Sequence, residues 1–155
     1  MMAKIDINTL REENSTGYPS PFDEIVRGRF RKRLGDAGGL SQFGVNLTRL
    51  EPGSASAQRH WHENEDEFVF IVSGEAVLIE DEGETLLAPG DAAAFKAGVK
   101  NGHHLVNKSD ADVIYLEIGT RALEESGDYP DIDMRFENRG VTRYLHKDGT
   151  PYSTD

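Results

Sequence analysis

Residues 59–68 read RHWHENEDEF. His60 and His62 stand two apart, and Glu67 follows five residues later, in a chain that contains no cysteine. On a β-strand, residues i and i+2 share a face, so His60 and His62 point the same way and Trp61 the other. Glu67 has the wrong parity for one straight strand running from His62. The intervening ENED is polar enough to turn, which makes Glu67 the first residue of a second strand and puts it on the face of Val69 and Ile71. Two imidazoles and a carboxylate then converge on one interior. Burying them unpaired costs several kcal/mol each, about the scale for isolated polar and charged groups. A divalent cation removes that cost, and imidazole with carboxylate suits Fe, Mn, Ni, Co or Zn. Two other readings stand beside this one: a solvated acidic loop, and a hydrogen-bonded His–Glu pair without metal.

The surrounding chain reads as strands. FGVNLTRL (43–50) places Phe43, Val45 and Leu47 in alternation with polar neighbours, the two-residue period of a half-buried strand. RFRKRL precedes it. EFVFIV, EAVLIE, ETLLA, DAAAF, HHLVN and DVIYLEIG follow, separated by the turn-forming EPGS, SGE, DEGE, APGD, KAGVKNG and NKSDAD. Many short, evenly spaced strands with glycine-rich punctuation predict an all-β closed antiparallel barrel or sandwich. RALEES (121–126) is the one short helix candidate. Residues 1–27 read as an irregular N-terminal arm broken by YPSPF, 28–127 as the barrel, and 128–155 as a loop-like C-terminal extension.

Composition narrows the function classes. A chain of 155 residues suits one domain, and 37% hydrophobic against 29% charged residues can bury a core. The net charge of −11 argues against nucleic acid and against anionic membrane surfaces, both of which require a basic footprint. Without cysteine there is no disulfide, thiol nucleophile or thiolate metal site. The opening MMAKIDINTLREEN lacks the apolar core of a signal peptide, so the cytoplasm is the expected compartment. Neither GxSxG, a P-loop, GxGxxG nor HExxH occurs, and the acidic clusters ENEDE and EDEGE lack the spacing of a calcium loop.

Gly53 to Gly74, GSASAQRHWHENEDEFVFIVSG, resembles the first motif of the cupin superfamily: glycine, spacer, His-x-His, three or four residues, Glu, six residues, Gly. The spacer before His60 is one residue longer than the commonest form. GDAAAFKAGVKNGHHLVN (90–107) resembles the second motif, which ends in His-x-x-x-Asn. Lys96 replaces the usual proline there, and the glycine-to-histidine spacing is two residues longer. The resemblance spans roughly 43–119. It implies a single double-stranded β-helix (a jelly-roll barrel) with extra N-terminal strands and an irregular C-terminal tail. Carried over by position, it implies the metal ligands His60, His62, Glu67 and His103, with one divalent transition metal per chain. His103 fits the spacing back from Asn107 and shares its parity, which leaves His104 outside the barrel or at a subunit contact. His146 reads as an exposed tail histidine.

Three functions follow as expectations. Compact single-domain cupins suggest a metal-dependent enzyme on a small polar oxygenated molecule, by isomerase-like Lewis-acid chemistry of the sugar-phosphate kind. An Fe(II) dioxygenase is the alternative, and a non-enzymatic ligand or metal sensor or store is the third. Lys96 and Lys100 could meet an anionic substrate, although ordinary solvated loop lysines explain them better on so acidic a surface. The facing of Tyr115 and Glu117 is open from VIYLEI, and Arg31 and Arg33 alternate on a strand that could face solvent. No catalytic residue is assigned. The family's habit of pairing barrels implies a homodimer whose partners are small molecules rather than nucleic acid or membrane.

Overall fold

A computed structural model describes residues 3–153. In chain order the strands are β1 (Arg29–Arg33), β2 (Phe43–Leu50), β3 (Trp61–His62), β4 (Glu67–Ser73), β5 (Ala76–Glu80), β6 (Gly83–Leu87), β7 (Ala92–Phe95), β8 (His104–Val106), β9 (Val113–Thr120), β10 (Glu125–Tyr129), β11 (Met134–Asn138) and β12 (Thr142–Leu145). A single helical turn, α1 (Leu34–Ala37), joins β1 to β2. Three antiparallel sheets result, ordered β1-β2-β9-β4-β7, β12-β11-β10-β3 and β6-β5-β8. The all-β cupin barrel expected from the sequence is the observed fold. Among the described residues no helix is long and apolar enough to cross a membrane.

Strand parity sets what the barrel encloses. Along β4, Val69 and Ile71 are buried while Phe68, Phe70 and Val72 are 38%, 38% and 48% exposed. Glu67 therefore begins a strand whose inner face is apolar, and it enters the barrel with Val69 and Ile71. The main core joins Leu50, Val69, Ile71, Ala76, Leu78, Leu87, Leu105, Val113 and Tyr115 from the five-stranded and three-stranded sheets. On β2 the alternation is present, but its apolar set turns outward. Leu47 pairs with Leu116 and that residue with Phe70, while Val45, Ile118 and Phe68 form the next row. The polar set, Asn46 and Thr48, faces inward beside Glu117 and Tyr115.

Two expectations about the C-terminal half need correction. RALEES forms no helix: β9 runs to Thr120, and Glu125 already pairs with Asn138 as the start of β10. Leu123 is 95% exposed, so a helix there has no apolar contact to repay the cost of its nucleation. The tail is also not irregular. β11 and β12 pair with β10, and Tyr129, Met134 and Phe136 form a second core that receives Tyr18 and Phe22 from the N-terminal arm. The 127/128 boundary falls inside β10, because β10 is hydrogen-bonded to both β3 and β11.

Two glycines make this assembly possible. At Gly74 φ is +75°, and a Cβ would lie 2.4 Å from the Asp112 carbonyl oxygen, so the turn after β4 accepts no side chain. Gly127 stands opposite His62 in the β10–β3 pair. A Cβ there would lie 2.3 Å from both the Trp61 carbonyl oxygen and the Phe136 ring, so the close approach of β10 to the histidine strand depends on glycine.

Candidate metal centre

His62 ends β3, His60 immediately precedes that strand, and Glu67 arrives at the start of β4. His60 exchanges backbone hydrogen bonds with His103, which brings the segment before β8 into the same space. Glu67 is the hub. Its Oε2 is 2.5 Å from His103 Nε2 and 3.6 Å from His60 Nε2, and its Oε1 is 3.0 Å from His62 Nε2. The three sequence-predicted histidines therefore converge on the fourth predicted ligand, Glu67, through the same ring nitrogen, Nε2. Ligand atoms of His60, His62 and Glu67 lie within 4.8 Å of one another, a separation one ion can bridge.

The outer nitrogens explain why the rings point inward. His60 Nδ1 is 2.8 Å from the Gln58 carbonyl oxygen, which leaves its Nε2 to the cavity. The His103 ring lies stacked on Phe95 at 3.6 Å between centroids with an interplanar angle of 1°. Phe95 is itself the register partner of Glu67, so the same strand pair fixes ligand and clamp. His62 Nδ1 faces Glu125 Oε2 at 3.7 Å and Glu65 Oε1 at 3.8 Å. Among the described residues neither His62 Nδ1 nor Glu125 Oε2 has a hydrogen-bond partner, although both atoms are buried. Glu125 is anchored through its other oxygen, which accepts the backbone N–H of Asn64 at 2.9 Å and of Ser126 at 2.7 Å.

His104 Nδ1 is 2.7 Å from the Ala57 carbonyl oxygen, so His103 and not its neighbour stands against Glu67. Asn107, fully buried, donates to the Leu50 and Ala111 carbonyls and serves to fix the loop after β8. His146 pairs with Asp133 in the tail, outside this cluster.

Electrostatics bind the cluster together. Burial disfavours charge on His62, yet Glu125 and Glu67 override it and push its pKa up to about 10. Burial likewise disfavours a charged Glu67, but the three imidazoles hold its carboxyl well below the usual range. His103 goes the other way: burial lowers its pKa, only partly offset by Glu67. The cluster thus holds an ionised carboxylate and an imidazolium that a cation could replace.

This cluster opens into a cavity of about 1440 Å³, whose walls include Tyr18, Tyr129 and Tyr144 together with Arg29, Arg31 and Glu117. Tyr115 and Glu117 therefore face inward, as does Arg31, while Arg33 stands exposed at the cavity's edge and pairs with Glu13 at 2.6 Å. Lys96 and Lys100 are exposed, and Lys100 lies over the Trp61 ring at 5.7 Å rather than in this cavity. Sequence reasoning passed over Glu65, Glu125 and the tyrosines. Glu125 was hidden inside a helix candidate, while Tyr129 and Tyr144 lay in the segment read as loop.

The Cupin domain family model matches residues 46–119. A Silicibacter pomeroyi DSS-3 structure, described as a sugar phosphate isomerase from a cupin superfamily, is 45% identical; the match covers 98% of each chain with a TM-score of 0.94. The chain belongs to the cupin superfamily. A second cupin-like structure, from Acidithiobacillus ferrooxidans and described as a candidate sugar phosphate isomerase, is 30% identical over 83% of this chain and 84% of that one, at a TM-score of 0.74. A polyketide cyclase from Streptomyces resistomycificus, 18% identical with a TM-score of 0.63 over 77% of this chain and 80% of that one, shares the cupin fold. No curated protein matches the chain.

Proposed function

We propose that this cupin is a metal-dependent enzyme acting on a small polar oxygenated molecule, by isomerase chemistry of the sugar-phosphate kind, and that it works in the cytoplasm. The observation that carries this reading is the convergence of three imidazole Nε2 atoms on the Glu67 carboxylate at one side of a cavity large enough for a small substrate. Support also comes from the description of the 45% identical relative.

His60, His62, Glu67 and His103 hold one divalent transition ion per chain in this reading. When bound there, such an ion supplies Lewis acidity toward a carbonyl or hydroxyl oxygen of the substrate. The chain's own groups set up the rest. Gln58 and Phe95 orient His60 and His103, and Glu125 and Glu65 supply negative charge behind His62. The aromatic wall from Tyr18, Tyr129 and Tyr144 screens the site from bulk water and offers hydroxyls to an oxygenated substrate.

The same reading includes a homodimer. The outward rows Leu47–Leu116–Phe70 and Val45–Ile118–Phe68 make a contiguous apolar sheet face, the kind of surface that a second copy covers.

The test is elemental analysis of untagged protein purified without chelators, followed by anaerobic assays on a panel of phosphorylated aldoses and ketoses. Near-stoichiometric metal and chelator-sensitive turnover without O2 is the expected outcome. Protein that takes up no metal, or turnover that requires O2, would overturn the proposal.

A further inference from the structure

The inner wall built by β1, β2 and β9 carries a row of polar side chains in register. Arg31 stands beside Thr48, and Thr48 beside Tyr115. Each contributes a buried polar atom without a hydrogen-bond partner among the described residues: Arg31 Nε, Thr48 Oγ1 and the Tyr115 hydroxyl. The two hydroxyls are close neighbours but do not meet hydrogen-bond geometry with each other. Thr48 and Tyr115 are completely buried.

Charge on this wall is also unbalanced. Two residues before Arg31, on the same face, Arg29 is only 5% exposed, and its guanidinium donates to the carbonyls of Ser56 at 2.7 Å and Ser15 at 3.4 Å. Among the described residues no carboxylate forms an ion pair with it. Glu117 faces Arg31 Nε at 3.6 Å, and the same oxygen accepts from Asn46 Nδ2 at 3.1 Å. A buried cation, Arg29, and a half-buried one, Arg31, thus share one carboxylate, which is already engaged elsewhere. Leaving buried charge and donors unmatched is costly, and a donor-rich pocket with excess positive charge suits an anion with several acceptor oxygens.

Position fits the same idea. Arg31 lines the cavity that contains His60, His62, Glu67 and His103. In the sheet, β1 and β4 are separated by three strand spacings, ~14 Å at ~4.8 Å each, and the curvature of the barrel shortens the direct path. One small molecule can span it.

We propose that Arg31, supported by Arg29 and flanked by Tyr115, receives the oxyanion end of the substrate, a phosphate monoester or a carboxylate, while the oxygenated end reaches the His–Glu cluster. The inference rests on reading this cavity as a substrate site and adds the polarity of the bound molecule.

Calorimetric titration of the full chain with inorganic phosphate, and separately with acetate, at low ionic strength tests it. Saturable phosphate binding that weakens at least ~10-fold in Arg31→Gln, with an unchanged thermal midpoint, is expected, in line with the loss of a charge-assisted hydrogen bond. Arg31-dependent binding of acetate but not phosphate also supports the oxyanion site and identifies the carboxylate as its ligand. A His60→Ala/His62→Ala double variant should keep phosphate affinity within about threefold, because that end is remote from the metal cluster. Phosphate binding that survives Arg31→Gln but disappears in the histidine variant overturns the inference while leaving the metal reading intact. Absence of binding by both anions overturns it too. Should Arg31→Gln fail to fold, anomalous scattering from tungstate soaked into crystals of the unaltered protein decides: density within hydrogen-bond reach of Arg31 supports the site, and density elsewhere or none refutes it.

Discussion

Replacing Glu125 by Gln isolates the charge behind His62. Glu125 is 5% exposed, and its Oε2 faces His62 Nδ1 at 3.7 Å, outside hydrogen-bond range, so it acts through charge rather than through a directed bond. An ionised pair near this separation attracts by ~4 kcal/mol at an effective dielectric constant of ~20, before the desolvation that opposes it. The glutamine oxygen can still accept the Asn64 and Ser126 N–H groups, so the loop around β3 and β10 should keep its anchor. What changes is the partner of the histidine: an amide replaces a carboxylate. Groups in this outer position typically change metal affinity by ~10–100-fold, equivalent to ~1.4–2.7 kcal/mol.

The expected result in Glu125→Gln is a 10–100-fold weaker affinity for Zn(II) or Mn(II) in chelator competition, with a nearly unchanged fold by circular dichroism. Its metal-free form should also lose much of the elevation of the His62 pKa, visible in imidazole NMR titrations. Wild-type metal affinity in the variant would refute the reasoning that Glu125 acts through His62. Glu125→Ala should do more damage, since it also strips two backbone N–H groups of their acceptor, at ~1–3 kcal/mol for each buried donor left unmatched.

Other outcomes follow from the same geometry. In metal-free protein the His62 pKa is raised to about 10 from an unfolded value near 6.5, so its stabilisation is complete below about 6.5 and is lost as pH rises through about 10. Thermal midpoints of the chelated protein should fall across that window, while metal affinity should rise up to ~10-fold per pH unit as one proton is displaced; a flat affinity from pH 6.5 to 9 would contradict this. Gly127→Ala forces a Cβ against the Trp61 carbonyl and Phe136, which should cost ~1–3 kcal/mol in urea unfolding and weaken metal binding by displacing His62. Sedimentation should give a species of twice 17.2 kDa that Phe68→Glu/Phe70→Glu converts to monomer, and a single monomeric species of the unaltered protein at micromolar concentration would exclude the dimer.

Much of the barrel was legible because period-2 alternation and glycine turns are local signals. The strands expected at 43–50 and 67–72 appear at Phe43–Leu50 and Glu67–Ser73. The meeting of His60, His62 and Glu67 was legible for the same reason, since parity and one polar turn were enough to aim them together. Which face of a strand lies inside is a different kind of information. In β2 the apolar set lies outside and the polar set faces in beside the cavity-lining Glu117 and Tyr115, because a binding barrel needs polar groups within and this sheet has a second apolar surface to cover. The rule that apolar means inward fails at such a strand, and with it the solvent-facing reading of Arg31, while Arg33 is exposed and pairs with Glu13. The C-terminal strands were missed although MRFEN alternates buried Met134 and Phe136 with Arg135 and Glu137. Acidic, proline-bearing flanks outweighed a short alternation whose strand partners, β10 and β12, were not read as strands and whose core partners in the N-terminal arm, Tyr18 and Phe22, are distant in sequence.

That distance bears on how the site is built. Of the candidate metal-binding histidines, His62 stands on a strand of two residues, too short to hold itself, and β3 is fixed by its pairing with β10 and by the ring of Phe136 against His62 at 5.3 Å. The matched family segment, 46–119, contains all four candidate ligands but neither β10 nor Glu125. First contacts to a metal thus come from the shared barrel, whereas the group that charges His62 and the surface that fixes it come from the C-terminal sheet. The tyrosine wall has the same origin in part, with Tyr129 and Tyr144 from that sheet and Tyr18 from the arm. On the proposed function, this division of labour would have the barrel supply the capacity to bind a metal, with the segments outside it setting how tightly the ion is held and which molecule reaches it.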